Sequence, residues 1–156
     1  MGLKSIFSKY FGSSVSENAQ TEPVTEKVQA ASYVLAGKTS LGMLYVDIDK
    51  TTIVQKDGQY YLAVHAKEEY TDRNFLKTLR KNKNLQDVVA AVSLFLFDNK
   101  GSSYGIVRSF LVDGQGKVCL DCGSKMQMKA LNVDDTAMLN AYTLCLKALE
   151  IENNKQ

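Results

Sequence analysis

The chain has 156 residues, of which 45% are hydrophobic and 23% charged, a balance that suits one soluble globular domain with a core of its own. Its net charge of +2 is too small to indicate a nucleic-acid-binding protein, and no stretch approaches the ~20 apolar residues of a membrane span. Three cysteines fit a reducing compartment better than a disulfide scaffold.

Residues 1–11 predict a short amphipathic helix that tethers the domain to another surface. Such a short helix needs a surface to stabilise it, and a membrane interface, a groove on a partner protein or the chain's own sheet would each serve. The residues predicted to make this contact share one face of the helix, and they are Leu3, Ile6, Phe7, Tyr10 and Phe11.

Residues 12–30 predict a flexible linker, because they are rich in Ser, Glu, Gln, Asn and Thr and include the chain's one proline, Pro23. The length of this linker favours an external target for the helix over the chain's own domain. Because the N-terminus lacks the apolar run of a secretory signal, we expect a cytoplasmic protein. If the N-terminal helix binds a membrane, the contact is expected to be peripheral and at the inner face.

The folded domain is predicted to span residues 31–152, followed by a disordered tail over 153–156. Two short strands, Ser32 to Ala36 and Leu41 to Ile48, begin it. The pair Asp57-Gly58 then predicts a type I′ hairpin between Thr51 to Lys56 and Gln59 to Lys67. The two-residue loop sets the pairing, so that Lys56 faces Gln59 and Ile53 faces Leu62.

His65 is the chain's single histidine. The alternation of the hairpin strand places it on one face with Tyr61 and Ala63, while Leu62 and Val64 point to the other. We expect His65 to be exposed or a hydrogen-bonded part of the scaffold, because no Ser or Cys motif accompanies it as a nucleophile. An enzyme whose polar residues meet near His65 only in three dimensions is the alternative.

Thr71 and Asp72 are predicted to cap a helix that runs to about Lys81 with Phe75, Leu76 and Leu79 inward. The basic residues of this helix and its exit form one predicted contact patch for phosphates or an acidic protein, and they are Arg73, Lys77, Arg80, Lys81 and Lys83. No aromatic side chains alternate with these charges, so a solvated face is favoured and no specific nucleic-acid binding is expected.

The segment from Leu85 to Cys122 predicts three consecutive antiparallel strands, since its runs are rich in Val, Phe and Tyr and its breaks contain Gly, Asp and Asn. The run up to Phe97 is apolar on both faces, which is typical of a strand in the middle of a sheet. After Asp134 and Asp135, a longer helix to about Glu152 is predicted with its apolar stripe formed by Met138, Leu139, Tyr142, Cys145, Leu146 and Leu149.

These elements predict an α+β fold: a curved antiparallel sheet of about six strands, with the C-terminal helix and the shorter connecting helix packed on it. The order of elements resembles the surface-adhesin protein E family of small bacterial domains over about Tyr33 to Leu149. The resemblance rests on LYVDIDKTTIVQKDGQYYLAV, on FDNKGSSYGIVRSFLVDGQGKV and on the terminal helix with Cys145. It implies a binding module without chemistry of its own, and it transfers no binding residue to this chain.

Three further patterns have the residue types of known sites. Cys119 and Cys122 form a CxxC that is predicted to be two inert thiols, with a bridge to Cys145 or a metal as the alternatives. Asp47 and Asp49 provide too few oxygen ligands for calcium, and we expect them to be turn residues. The glycines of DGQG join two strands and open no helix, so we expect a hairpin turn instead of a phosphate loop.

No cofactor, metal or catalytic residue is therefore expected. The sequence predicts a non-catalytic module that acts through contacts with an unidentified protein. The two alternatives are the enzyme centred near His65 and weak nucleic-acid binding through the basic helix.

Overall fold

The computed structural model describes residues 33–124 and 126–154, and it describes side chains as far as Ile151. Within these residues the chain forms α-helices α1 (Arg73–Arg80) and α2 (Thr136–Asn154), and neither is long and apolar enough to cross a membrane. The strands are β1 (Tyr33–Lys38), β2 (Gly42–Asp47), β3 (Thr52–Lys56), β4 (Gln59–Tyr70), β5 (Ala90–Asp98), β6 (Ser103–Val112), β7 (Val118–Asp121) and β8 (Lys129–Ala130). The predicted N-terminal helix and linker lie outside the described residues.

All eight strands belong to one open antiparallel sheet in the order β1-β2-β4-β5-β6-β7, with β3 beside β4 and β8 beside β6. The predicted α+β class and antiparallel sheet are confirmed. The prediction of about six strands was too low, because β8 is two residues long and too short to show a periodic pattern. The C-terminal helix also runs into the predicted tail, as far as Asn154.

The hairpin between β3 and β4 has the predicted turn and register. Asp57 and Gly58 both have positive φ, 52° and 77°, as a type I′ turn requires. Lys56 pairs with Gln59 and Ile53 pairs with Leu62, as predicted. A local turn signal was sufficient here because both strands are adjacent in sequence.

Strand β4 pairs with more of the sheet than any other described strand. Its first half pairs with β3, its second half with β2, and nearly its whole length with β5 on the other side. The strands β5, β6 and β7 then follow as the predicted meander. Because β2 pairs with β4 and not with β3, the sequence neighbours β2 and β3 lie end to end along one edge of β4.

The first face of the sheet packs against α2. Its buried strand residues include Leu44, Val46, Leu62, Val64 and Phe97. The helix residues at the centre of the contact are Ala137, Ala141 and Cys145, and the larger predicted residues Met138, Tyr142, Leu146 and Leu149 pack around them. Small side chains at the centre let the helix come close to the sheet, and a Cβ on Gly37 would lie 3.3 Å from Cα of Ala137.

The second face of the sheet, opposite α2, carries a separate buried apolar cluster made of Val54, Ala63, Leu94, Leu96 and Val107. Strand β5 contributes to both faces, since Phe95 and Phe97 point to α2 while Leu94 and Leu96 point away. The prediction that this strand is apolar on both sides is confirmed. Tyr61 and Met126 pack against the second-face cluster.

The turn between β5 and β6 is held by one carboxylate. Asp98 accepts hydrogen bonds from the hydroxyls of Ser102 (2.6 Å) and Ser103 (2.9 Å), and from the backbone amide of Ser102 (2.8 Å). Burial raises the pKa of Asp98, but these hydrogen bonds outweigh it and lower the pKa to about 2. The carboxylate therefore stays ionised and keeps both strands of the meander in register.

We expect Gly42→Ala to disrupt the pairing of β2 with β4. A Cβ at this position would lie 1.7 Å from the backbone carbonyl oxygen of Glu69, a contact that the strands relieve only by separating. Chemical denaturation should show a loss of about 3 kcal/mol or more in the free energy of unfolding.

Gly114→Ala is the matched control, since a Cβ on Gly114 would have nothing within 4 Å. Its free energy of unfolding should stay within about 1 kcal/mol of the unchanged protein. Equal stability of the two variants would show that β2 does not lie against β4 in this way.

Candidate functional site

Three of the described buried polar side chains, Asp47, Thr51 and His65, come from the region where β2 ends and β3 begins beside β4. The last ladder pair between β2 and β4 is Val46 with Ala66, so one further step would place Asp47 opposite His65. A short 3-10 turn, Ile48–Lys50, connects β2 to β3 at this point. His65 is 4% exposed, so the expectation of an exposed histidine is wrong and the scaffold alternative remains.

The electrostatics of this group follow from burial. Burial raises the pKa of Asp47, against the opposing effect of Lys50, and carboxylate atom Oδ1 has no hydrogen-bond partner. Burial lowers the pKa of His65 to about 4, and the positive charge of Lys50 adds to the effect. The imidazole is therefore neutral at physiological pH.

The thiol of Cys145, which faces this region from α2, is not an activated nucleophile. Burial raises the pKa of Cys145 to about 11, so the thiol stays protonated and unreactive. The Thr51 hydroxyl donates to the backbone carbonyl of Asp47 at 3.4 Å. This hydrogen bond spans the 3-10 turn that joins β2 to β3.

A second polar group, on the first face of the sheet, was not predicted from the sequence. Thr39 Oγ1 donates to the Glu68 carboxylate at 2.5 Å, and the hydroxyl oxygens of Ser93 and Ser109 lie 2.9 Å apart. Ser93 and Ser109 are direct register partners in β5 and β6. The sequence signal was a serine inside each of two apolar strands, Ser93 in β5 and Ser109 in β6. Only the register of the meander shows that these two serines face each other.

The basic patch is smaller than predicted. Arg80, expected to point outward, turns back and donates from its guanidinium to the backbone carbonyls of Val88 (3.0 Å) and Leu85 (3.3 Å). These hydrogen bonds supply donors to two backbone carbonyls of the segment that follows α1. The helix itself begins after the predicted cap Asp72. The remaining members of the patch are exposed and lie on α1 and its exit: Arg73, Lys77, Lys81 and Lys83.

The three cysteines are free thiols in separate surroundings. Cys145 is buried on the side of α2 that faces the sheet, whereas Cys119 and Cys122 lie in and just after β7. Within the described residues, no group of three or more His, Cys, Asp or Glu side chains comes together as a metal site. The described geometry therefore gives the CxxC no further ligands.

A groove of about 390 Å³ lies between β7 and the turn after α1. One wall is formed by Val118, Cys119 and Leu120 of β7. The other groove-lining residues are Asn82, Asn84, Leu85, Asp87, Asp113 and Lys117. This groove was not predicted from the sequence, because its two walls are about thirty positions apart and belong to segments with ordinary loop composition.

The predicted tether residues Leu3, Ile6, Phe7, Tyr10 and Phe11 lie outside the described residues. Comparison of the chain with protein-family models, with curated proteins and with solved structures gives no match. The resemblance to the surface-adhesin protein E family stays a prediction.

We expect folding stability to fall below neutral pH because of His65. The unfolded chain takes up a proton on this side chain near pH 6.5, whereas the folded protein does so only at about 4. The stabilisation is complete above pH 6.5 and is lost as pH falls towards 4, by at most about 3 kcal/mol.

The measurement is the free energy of unfolding in guanidinium at a series of pH values, for the unchanged protein and for His65→Gln. The variant should show a flatter profile between pH 6.5 and 4, whatever its absolute stability. Asp47 does not mimic this effect, because its raised pKa gives a slope of opposite sign. Equal slopes for the two proteins would contradict the assignment.

Proposed function

We propose that this domain is a non-catalytic protein-binding module that takes up an extended peptide segment along strand β7. The observation that supports the proposal is the position of β7 at the end of the strand order, with the groove beside it. The side chains of Val118 and Leu120 are 50% and 44% exposed there. An edge strand presents unpaired backbone amides and carbonyls, which an extended peptide can pair with by adding one more strand.

The groove has the mixed character that peptide recognition uses. Its apolar contacts come from Leu85, Val118 and Leu120, and its polar rim includes Asn82 and Asp113. Backbone pairing with β7 supplies affinity, while the apolar side chains select alternate residues of the peptide, because successive side chains of a strand point to opposite faces. The partner expected is therefore an extended segment with apolar residues at every second position.

The opposite edge of the sheet is less suited to the same role. Strand β1 carries a bulge between Leu35 and Gly37, which interrupts a regular ladder. Asn140 of α2 donates to the backbone carbonyl of Ala36 at 3.0 Å, so one of the backbone groups near the bulge is already bound. These contacts favour β7 over β1 as the docking edge.

The experiment is selection of random short peptides from a display library on the full chain, followed by affinity measurement on the variants. Selected peptides should alternate apolar and polar residues. Leu120→Lys should weaken their binding about tenfold or more, because it places a charge in the apolar part of the groove.

Leu35→Lys is the matched control, since Leu35 is 48% exposed on the opposite edge of the sheet. Its binding should equal that of the unchanged chain. A selection that yields no alternating peptides, or equal losses in both variants, would contradict the proposal.

A further inference from the structure

Strand β3 lies at an edge of the sheet. Among the described strands it pairs with β4 alone, because β2 occupies the other half of the same side of β4. Its five residues pair with β4 without a register shift, so its outer side is a regular extended backbone. The strand is accessible to solvent, since Ile53 is 53% exposed and Gln55 is also exposed. A regular, accessible edge is a template for one more strand.

The hairpin turn determines which residues of β3 point away from β4. A two-residue turn is closed by a hydrogen-bonded pair, which here is Lys56 with Gln59. Hydrogen-bonded and non-bonded pairs alternate along an antiparallel ladder, so every second residue of β3, counted back from Lys56, bonds to β4. The amides and carbonyls of the residues between them, Ile53 and Gln55, therefore point outward.

The side chains beside this edge add an apolar surface. Ile53 pairs with Leu62 and Gln55 pairs with Tyr60, so all four side chains belong to the first face of the sheet. Ile53 and Tyr60 are diagonal neighbours across the hairpin, and Tyr60 is 56% exposed. An edge strand that carries exposed apolar side chains favours pairing with another strand over contact with water.

The spacing of the outward groups fits a second copy of the same strand. When two β3 strands run antiparallel about a two-fold axis at Val54, Ile53 of each copy lies opposite Gln55 of the other. Each of these two pairs forms two hydrogen bonds, so both outward amides and both outward carbonyls of each strand are bonded. A shift by one residue would set Ile53 opposite Val54, whose backbone groups already bond to β4.

The side chains match in the same register. The Ile53 side chains of the two copies become diagonal neighbours on the first face, so each covers the exposed part of the other. On the second face Val54 lies opposite its own copy, and Lys56 lies opposite Thr52. No pair in this register brings two like charges together. The edge is therefore complementary to itself in backbone groups, apolar contacts and charge.

We propose that this chain forms a weak two-fold dimer by antiparallel pairing of β3 with β3 of a second copy. Two five-residue strands form an interface smaller than the about 1,000 Å² that stable complexes exceed, so we expect a dissociation constant of about 0.1 mM. Strand β7 lies on the other side of β4 in the strand order. The dimer therefore leaves both β7 edges open at its outer ends.

Sedimentation equilibrium of the full chain between about 10 μM and about 1 mM tests the dimer. The weight-average mass should rise from that of one chain towards that of two. Ile53→Lys should weaken the association about tenfold or more, because the two-fold axis brings the two added charges next to each other and removes the apolar contact. Since Ile53 is half exposed, the fold of the single chain tolerates this change.

Leu35→Lys is the matched control, because Leu35 is 48% exposed on β1 and takes no part in the proposed pairing. Its association should equal that of the unchanged chain. A single-chain mass over the whole range, a mass above that of two chains, or equal association of the two variants would each overturn the proposal.

Amide hydrogen exchange at the two ends of this concentration range tests the register. The amides of Ile53 and Gln55 should exchange several-fold more slowly at about 1 mM than at about 10 μM, because their outward N–H groups are bonded only in the dimer. The amides of β1 and β7 should exchange equally at both concentrations.

Two exchange results would overturn the proposal. Slow exchange of Ile53 and Gln55 already at about 10 μM would show that the edge is covered within a single chain. Protection that rises with concentration in β1 or β7 instead would place the contact elsewhere. Peptide binding along β7 does not depend on either result, so this proposal and the proposed function fail separately.

Discussion

The pairing of β4 with strands on both of its sides is the interaction on which the rest of the structure depends. Its twelve residues join β2 and β3 at one edge and β5 at the other. Because side chains alternate along a strand, β4 also separates the two cores: Leu62 and Val64 lie under α2, and Ala63 and His65 lie on the second face. A change that displaces β4 therefore affects both cores and the meander together.

Buried polar groups and exposed apolar side chains lie in different parts of the sheet around this strand. His65 and Cys145, two groups whose pKa values are strongly shifted by burial, lie on opposite faces of the sheet. The exposed apolar side chains of β7 lie at the far end of the strand order, beside a groove. Recognition at an edge strand needs backbone groups and a groove, and it needs no catalytic side chain.

The sequence predicted elements whose signals are local. The turn at Asp57 and Gly58, the cap at Asp72 and the two apolar faces of β5 each depend on residues close together in the chain, and each is confirmed. The pairing of β2 with β4 and the groove beside β7 depend on contacts between segments that are far apart in the chain. The inward turn of Arg80 depends on the path of the loop after α1, because its partners are carbonyls five and eight residues further along the chain. Periodicity carries no information about such contacts, because loop closure and sheet order are decided by the packing of the whole domain. The buried position of His65 was missed for the same reason, since burial depends on the packing of the whole sheet.

The measurement that most directly tests an open edge at β7 is residue-resolved amide hydrogen exchange on the full chain. The amides of Val118–Asp121 that do not point toward β6 should exchange far faster than those of β5, which is paired on both sides. They should become protected when a selected peptide binds, while the amides of β1 stay unchanged. Protection of the β7 amides equal to that of β5 in the free protein would show that this edge is already covered, and it would contradict a binding site there.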